Sequence, residues 1–121
     1  EEYKIRSAEV KESRHIIIKV GGVRIKVNAG DIVYAEVYNR KVLIHKTDEN
    51  IEYYGRMRDL EKQLGEDFFR CHRAYLVNMN YVVKYDASTV YLEKGKVLMA
   101  KQHYPEFVKA YMKYLQREEK R

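Results

Sequence analysis

From residue 16 onward the chain is cut into short β-branched and aromatic runs, each stopped by a turn signal. That pattern predicts strands rather than long helices. Ile16-Ile17-Ile18-Lys19-Val20 and Val23-Arg24-Ile25-Lys26-Val27 flank Gly21-Gly22. A two-residue hairpin turn needs positive φ at its centre, which glycine adopts without strain, so these runs predict a β-hairpin. Val23, Ile25 and Val27 alternate with Arg24 and Lys26, predicting one buried face and one wet face. After the turn Asn28-Ala29-Gly30-Asp31 comes an apolar strand from Ile32 to Val37. Tyr38-Asn39-Arg40-Lys41 interrupts it before Val42-Leu43-Ile44-His45-Lys46, so a second hairpin carries Asn39, Arg40 and Lys41 at its tip.

Two segments change period. Met57, Leu60 and Leu64 recur at helical spacing with Gly65 just beyond, predicting a short helix over about 56–64. Pro105 suits the first turn of a helix, and Val108, Tyr111, Met112 and Leu115 predict its apolar stripe over about 105–117. Further strands are expected around residues 51–54, 81–85, 89–92 and 97–100. The fold class is therefore mainly β: stacked antiparallel sheets with hairpins, one short helix and a C-terminal helix. Residues 1–14 are charged without periodicity and read as a linker or loose arm, leaving 15–121 as one domain. The chain starts on Glu rather than Met, which suggests a processed or excised domain with a neighbour missing.

A net charge of +6 attracts polyanions, though solvated surface charge accounts for such an excess equally well. No run approaches the roughly 20 apolar residues of a membrane helix. The single Cys71 can form no internal disulfide and agrees with a reducing, cytoplasmic setting.

Catalytic and metal chemistry find little support. His15, His45, His72 and His103 are not paired with Cys71 at zinc spacing. Cys71 and His72 are adjacent, so on a strand they point to opposite faces, and Cys71 reads as a buried structural residue. No signature supplies Cys71 with a base, Glu61, Glu66 and Asp67 lie in charged faces, and no phosphate-cradling glycine loop occurs. We expect no enzyme, no metal and no cofactor. Of the 12 Tyr, most fall inside strand patterns and are expected to pack. Tyr38, beside a basic tip, is the one candidate for base stacking.

The segment Phe68-Phe69-Arg70-Cys71-His72-Arg73-Ala74-Tyr75-Leu76-Val77-Asn78 joins a basic cluster to an apolar run. Phe68, Leu76 and Val77 are expected to hold its polar residues at the edge of a β core. Three clusters then stand where strand patterns stop: Asn39-Arg40-Lys41, Arg70 with His72-Arg73, and Lys101-Gln102-His103. Arg can bridge guanine O6 and N7, Asn or Gln can bridge adenine N6 and N7, and Lys mostly takes phosphate. A solvated turn accounts for any one of them alone. A shared surface would make them a DNA-reading device.

Phe69, His72-Arg73 and Leu76-Val77-Asn78 resemble the signature of the LytTR family, the DNA-binding output domain of many bacterial response regulators. Asp31-Ile32-Val33-Tyr34-Ala35-Glu36 resembles that family's "I-x-x-[FIY]-E" strand. Tyr53-Tyr54-Gly55 with Leu60-Glu61 and Leu64 looks like its strand-to-helix passage, and Val97-Leu98-Met99-Ala100 like its final strand. The likeness covers residues 16–104. Two positions depart from the pattern: Ala74 stands where Ser is common, and Lys101-Gln102-His103 where Ser-Arg-Arg or similar is usual.

The resemblance implies stacked sheets whose loops enter DNA grooves, with no cofactor. It implies base contacts from Asn39, Arg40, Arg73, Gln102 and His103. Phosphate contacts would come from Lys41, Arg56, Arg70, His72, Lys84 and Lys101. It further implies double-stranded promoter repeats as partner, a dimer on DNA, and an N-terminal receiver domain outside this chain. The competing expectation is a β domain that docks a protein through a sheet edge or the C-terminal stripe. A third is single-stranded RNA binding through Tyr38.

Overall fold

In the computed structural model, which describes residues 14–120, ten strands, two helices and three short 3-10 turns follow one another in the expected order. The strands are β1 His15–Val20, β2 Val23–Asn28, β3 Ile32–Tyr38, β4 Lys41–Lys46, β5 Asn50–Tyr54, β6 Phe68–His72, β7 Tyr75–Asn78, β8 Val82–Tyr85, β9 Thr89–Leu92 and β10 Lys96–Leu98. Helix α1 spans Met57–Leu64 and helix α2 spans Tyr104–Glu119. The expected 1–14 arm lies, apart from Arg14, outside the described residues.

The centre is a five-stranded antiparallel sheet in the order β5-β4-β3-β7-β6. One face meets the β1-β2 hairpin and α1, with Ile16, Ile18, Val27, Ile44, Leu60, Leu64, Phe68 and Leu76 in one core. The other meets the three-stranded sheet β10-β9-β8 and α2, where Val33, Cys71, Val77, Val90, Val97 and Phe107 form a second core. A sheet covered on both faces needs strands that are apolar on both sides, which is why Leu76 and Val77 are both fully buried. Phe68, Leu76 and Val77 hold the central segment to the cores as expected.

An identical small device joins β2 to β3 and β7 to β8. Asn28 Oδ1 accepts from Gly30 N–H at 2.8 Å and Asn78 Oδ1 from Asn80 N–H at 2.9 Å, each opening a 3-10 turn. Asn78 is buried and also donates from Nδ2 to the Ile32 carbonyl at 2.8 Å, so it ties the two devices together.

Two expectations need correction. Val23 does not share the buried face with Val27: it pairs with Val20 beside the Gly21-Gly22 turn, beyond the covering layer, and is 61% exposed. The stripe on α2 is also rotated. Phe107 and Tyr114 are the buried residues, Tyr111 packs between them, and Met112 and Leu115 face outward. Phe107 meets Phe69 edge-on at 5.4 Å and Tyr85 at 5.0 Å. The Tyr114 hydroxyl donates to Asn80 Oδ1, and Arg117 pairs with Asp67 at 2.9 Å. Aromatic rings with polar ends won this face because α2 lies across β6 and the β7-β8 connection, where hydroxyls find partners.

Candidate nucleic-acid interface

The β3-β4 turn is built on Asn39 and Arg40, at φ 46° and 65°. Positive φ at both central residues is the twist-matched geometry of a two-residue hairpin. Asn tolerates it, but Arg is uncommon there and carries a local backbone cost. Both side chains are exposed. Lys41, the first residue of β4, lies over the Tyr54 ring at 5.3 Å.

The β6-β7 turn sits beside this tip because of register. β7 runs antiparallel to β3 with Glu36 opposite Tyr75, and Val37 N–H donates to the Ala74 carbonyl at 3.0 Å. A bulge in β6 sets up the turn: Phe69 faces Val77 and His72 faces Tyr75, so three steps on β6 span two on β7. His72 Nδ1 accepts from Ala74 N–H at 3.0 Å, which closes the turn and puts the neutral ring's proton on Nε2. Arg70 Nη2 donates to the Arg73 carbonyl at 2.6 Å, while Arg70 Nη1 lies 3.8 Å from Glu61 Oε1 on α1. Arg73 itself is exposed.

Residues 101–103 reach the same place from the other face. Ala100 N–H donates to the Cys71 carbonyl at 2.8 Å, and Lys101–His103 form a single 3-10 turn leading into α2. Thus 39–41 adjoin 73–74 through the Val37–Ala74 bond, and 71–73 adjoin 100–103 through the Cys71–Ala100 bond. The three tips share one end of the central sheet.

Two clefts flank the β6-β7 turn. One, of about 640 Å3, lies on the α1 side and is lined by Arg40, Tyr54, Arg56, Met57 and Arg70 among others. Its fellow of about 510 Å3 is lined by His72, Arg73, Ser88, Leu98, Gln102 and His103 among others. Among the described residues, the one ion pair within 4.0 Å involving Arg40, Lys41, Arg56, Arg70, Arg73 or Lys101 is Arg70–Glu61. Cations without a carboxylate partner among the described residues, gathered on one end of a domain, form a concentrated positive field.

Of the expected contact residues, Lys84 stands apart. It lies on the outer face of the three-stranded sheet with Nζ 4.8 Å from the Tyr91 ring centroid, and it lines neither cleft. Arg56 precedes α1 and lines the first cleft. Tyr38 is partly exposed, with its hydroxyl bonded to Glu52, so that ring is held against the sheet edge. Sequence reasoning missed Tyr54, Ser88, Leu98 and Glu61, since nothing local marks them as neighbours of a tip. Cys71 is fully buried, its thiol donates to the Leu98 carbonyl at 3.4 Å, and burial pushes its pKa to about 12. That suits the structural role expected of it. Asp86 caps the β8-β9 turn: its Oδ1 accepts from the Ser88 and Thr89 amides at 2.8 and 2.9 Å and from the Ser88 hydroxyl. Those bonds, with Lys84 nearby, hold its carboxyl below the usual value.

A β domain that gathers cationic and amide side chains on loop tips at one end, over a rigid sheet, has the form of a loop-reading DNA-binding domain. The chain belongs to the LytTr DNA-binding domain family, whose model matches residues 22–115. It is 31% identical over 85 residues to accessory gene regulator protein A of Staphylococcus epidermidis, covering 67% of this chain and 35% of that protein. It is 30% identical over 88 residues to the transcriptional regulatory protein NatR of Bacillus subtilis, covering 72% of this chain and 38% of that one. The chain therefore spans little more than a third of the relatives it matches. Its fold matches the LytTr DNA-binding domain of a Bacillus cereus response regulator with a TM-score of 0.67 at 19% identity, over 80% of this chain and 95% of the other. Among the described residues no helix is long and apolar enough to cross a membrane.

Proposed function

We propose that this domain is the output module of a bacterial response regulator and binds specific double-stranded promoter sequences in the cytoplasm. The observation that carries the proposal is the single end shared by residues 39–41, 73–74 and 101–103. Asn39, Arg40, Arg73, Gln102 and His103 present donors and acceptors to base edges, Arg to guanine and the amides to adenine. Lys41, Arg56 and Lys101 neutralise phosphates alongside and set the register, and His72 donates to a phosphate from Nε2. Lys84, farther out on the three-stranded sheet, contacts the backbone beyond the central footprint. The Arg70 guanidinium is already committed to the Arg73 carbonyl and Glu61, which makes it a brace within the turn rather than a phosphate ligand. Two copies occupy repeated half-sites about one helical turn apart, and a receiver domain elsewhere in the full protein governs their pairing.

Selection of bound duplexes from a random pool tests this. A consensus with two half-sites spaced by about a helical turn is expected. Binding should also weaken with salt by about one power per phosphate contacted. A pool that yields no consensus, or a preference for single strands, would contradict it. The membership in a DNA-binding family and the cations gathered on one end, one ion pair among the described residues aside, favour this function over a protein-docking module.

A further inference from the structure

We infer that Glu61, an acidic residue on α1, is a positioning residue for Arg73 and supports DNA binding by acting through Arg70. The inference rests on Arg73 being a base reader.

The β6-β7 turn is short, so the direction in which Arg73 projects depends on how the adjoining peptide planes are held. One plane is fixed by the Val37–Ala74 bond and the next by His72 accepting from Ala74 N–H. The carbonyl end of that same peptide, Arg73 C=O, is held by Arg70 Nη2 at 2.6 Å. Arg70 reaches it from the α1 face of the sheet, where its side chain is 31% exposed and its Nε is buried without a hydrogen-bond partner among the described residues. Nε is closed off from water while the head stays partly exposed, so a nearby negative charge holds the guanidinium in place modestly. Glu61 Oε1, 3.8 Å from Nη1, is the one carboxylate within ion-pair distance of it among the described residues. Remove that charge and, among the described residues, only the bond to the Arg73 carbonyl keeps the Arg70 head over the turn. Its head is then drawn more readily to solvent or to a nearby phosphate, and the 73–74 peptide is left held from its N–H end alone.

This role predicts a sign opposite to that of simple electrostatics. Neutralising an acidic group near a DNA-binding surface lowers repulsion and should tighten binding to every duplex. A positioning role predicts weaker binding to the selected sequence alone.

The test uses the present chain, a duplex selected by the unmodified protein, and sonicated mixed-sequence duplex as the non-specific probe. Glu61→Gln should weaken binding to the selected duplex by about threefold, in line with a partly exposed ion pair, and leave non-specific binding equal or tighter. Arg70→Lys, which keeps the charge but loses the planar fork, should lose specificity as Arg70→Gln does. In an Arg70→Gln background, Glu61→Gln should add no further loss, and Arg70→Gln should keep the salt slope of the unmodified protein. Because Glu61 is partly exposed on a helix, folding should survive. If melting falls, the specific-to-non-specific ratio measured below both transitions still decides. Glu61→Gln that leaves that ratio unchanged, or an Arg70→Gln salt slope lower by about one, overturns the inference. Failure of the unmodified chain to select any duplex would instead remove the DNA-reading proposal, and it is seen before any variant is made.

Discussion

Val37 and Ala74 are joined by a backbone hydrogen bond of 3.0 Å, and that contact sets two loop tips side by side. Residue 37 lies just before the Asn39–Arg40 turn and residue 74 just after Arg73. The spacing between the tips is thus fixed by sheet register, which a one-residue slip would destroy by turning the slipped strand's side chains to the opposite face.

Arg73 is exposed, so its replacement should leave the fold intact. Arg73→Ala is expected to cost about 1–3 kcal/mol in binding to the selected site and to relax preference at one base pair. Titrations on the consensus and on its single-base variants check this. An equal loss on all sequences would make Arg73 a phosphate contact.

Arg40 pays a conformational cost for its place in the turn. Arg40→Gly should remove backbone strain and raise stability by up to about 1 kcal/mol, while weakening DNA binding. Thermal melting and a binding isotherm on one preparation read both effects. A loss of stability would show that the Arg40 side chain supports the hairpin.

Asn78 satisfies the Ile32 carbonyl and the Asn80 amide from a buried position. Asn78→Ala should leave both without partners and cost about 2–3 kcal/mol of folding stability. Urea denaturation measures it. Phe107→Ala, at the centre of the α2 packing, should cost about 3–5 kcal/mol by the same assay.

The Asp86 carboxylate is held below its ordinary pKa of 3.8, first by the Ser88 amide and then by the Ser88 hydroxyl. Because the folded value is depressed, its contribution is complete above the unfolded value and is lost as pH falls through the folded one. The β8-β9 turn should therefore stay intact from neutral pH down through the ordinary carboxylate range and open only as pH falls through the depressed folded value. Amide exchange at Ser88 and Thr89 followed against pH reports it. Protection unchanged down to pH 2 would contradict the cap.

The Cys71 thiol, buried and with its pKa pushed to about 12, should resist a thiol reagent at pH 8 in the native protein and react once unfolded. Reaction at the native rate of an exposed thiol would mean that β6 opens readily.

What the sequence disclosed and what it hid have physical causes. The Gly21-Gly22 and Asn39-Arg40 turns, the α1 spacing and the Pro105 start are local signals, and local chemistry suffices to place them. The α2 face was misjudged because Val108, Met112 and Leu115 form a stripe more apolar than the tyrosine-rich one beside it. Only the Asn80 partner for Tyr114 and the ring contacts of Phe107 reveal which face is packed. The tips themselves were visible as polar breaks between strands. Their neighbours Tyr54, Ser88 and Glu61 were not, because the order β5-β4-β3-β7-β6 and the bulge near Arg70 bring distant segments together.

The central claim is that three loop tips act as one surface. The most direct measurement is a titration of the 15N-labelled chain with its selected duplex, following backbone amides. Shifts concentrated at residues 39–41, 72–74, 88 and 101–103, all saturating together, are the predicted result. Shifts confined to one tip, or centred on the β1-β2 hairpin on the far layer, would contradict it.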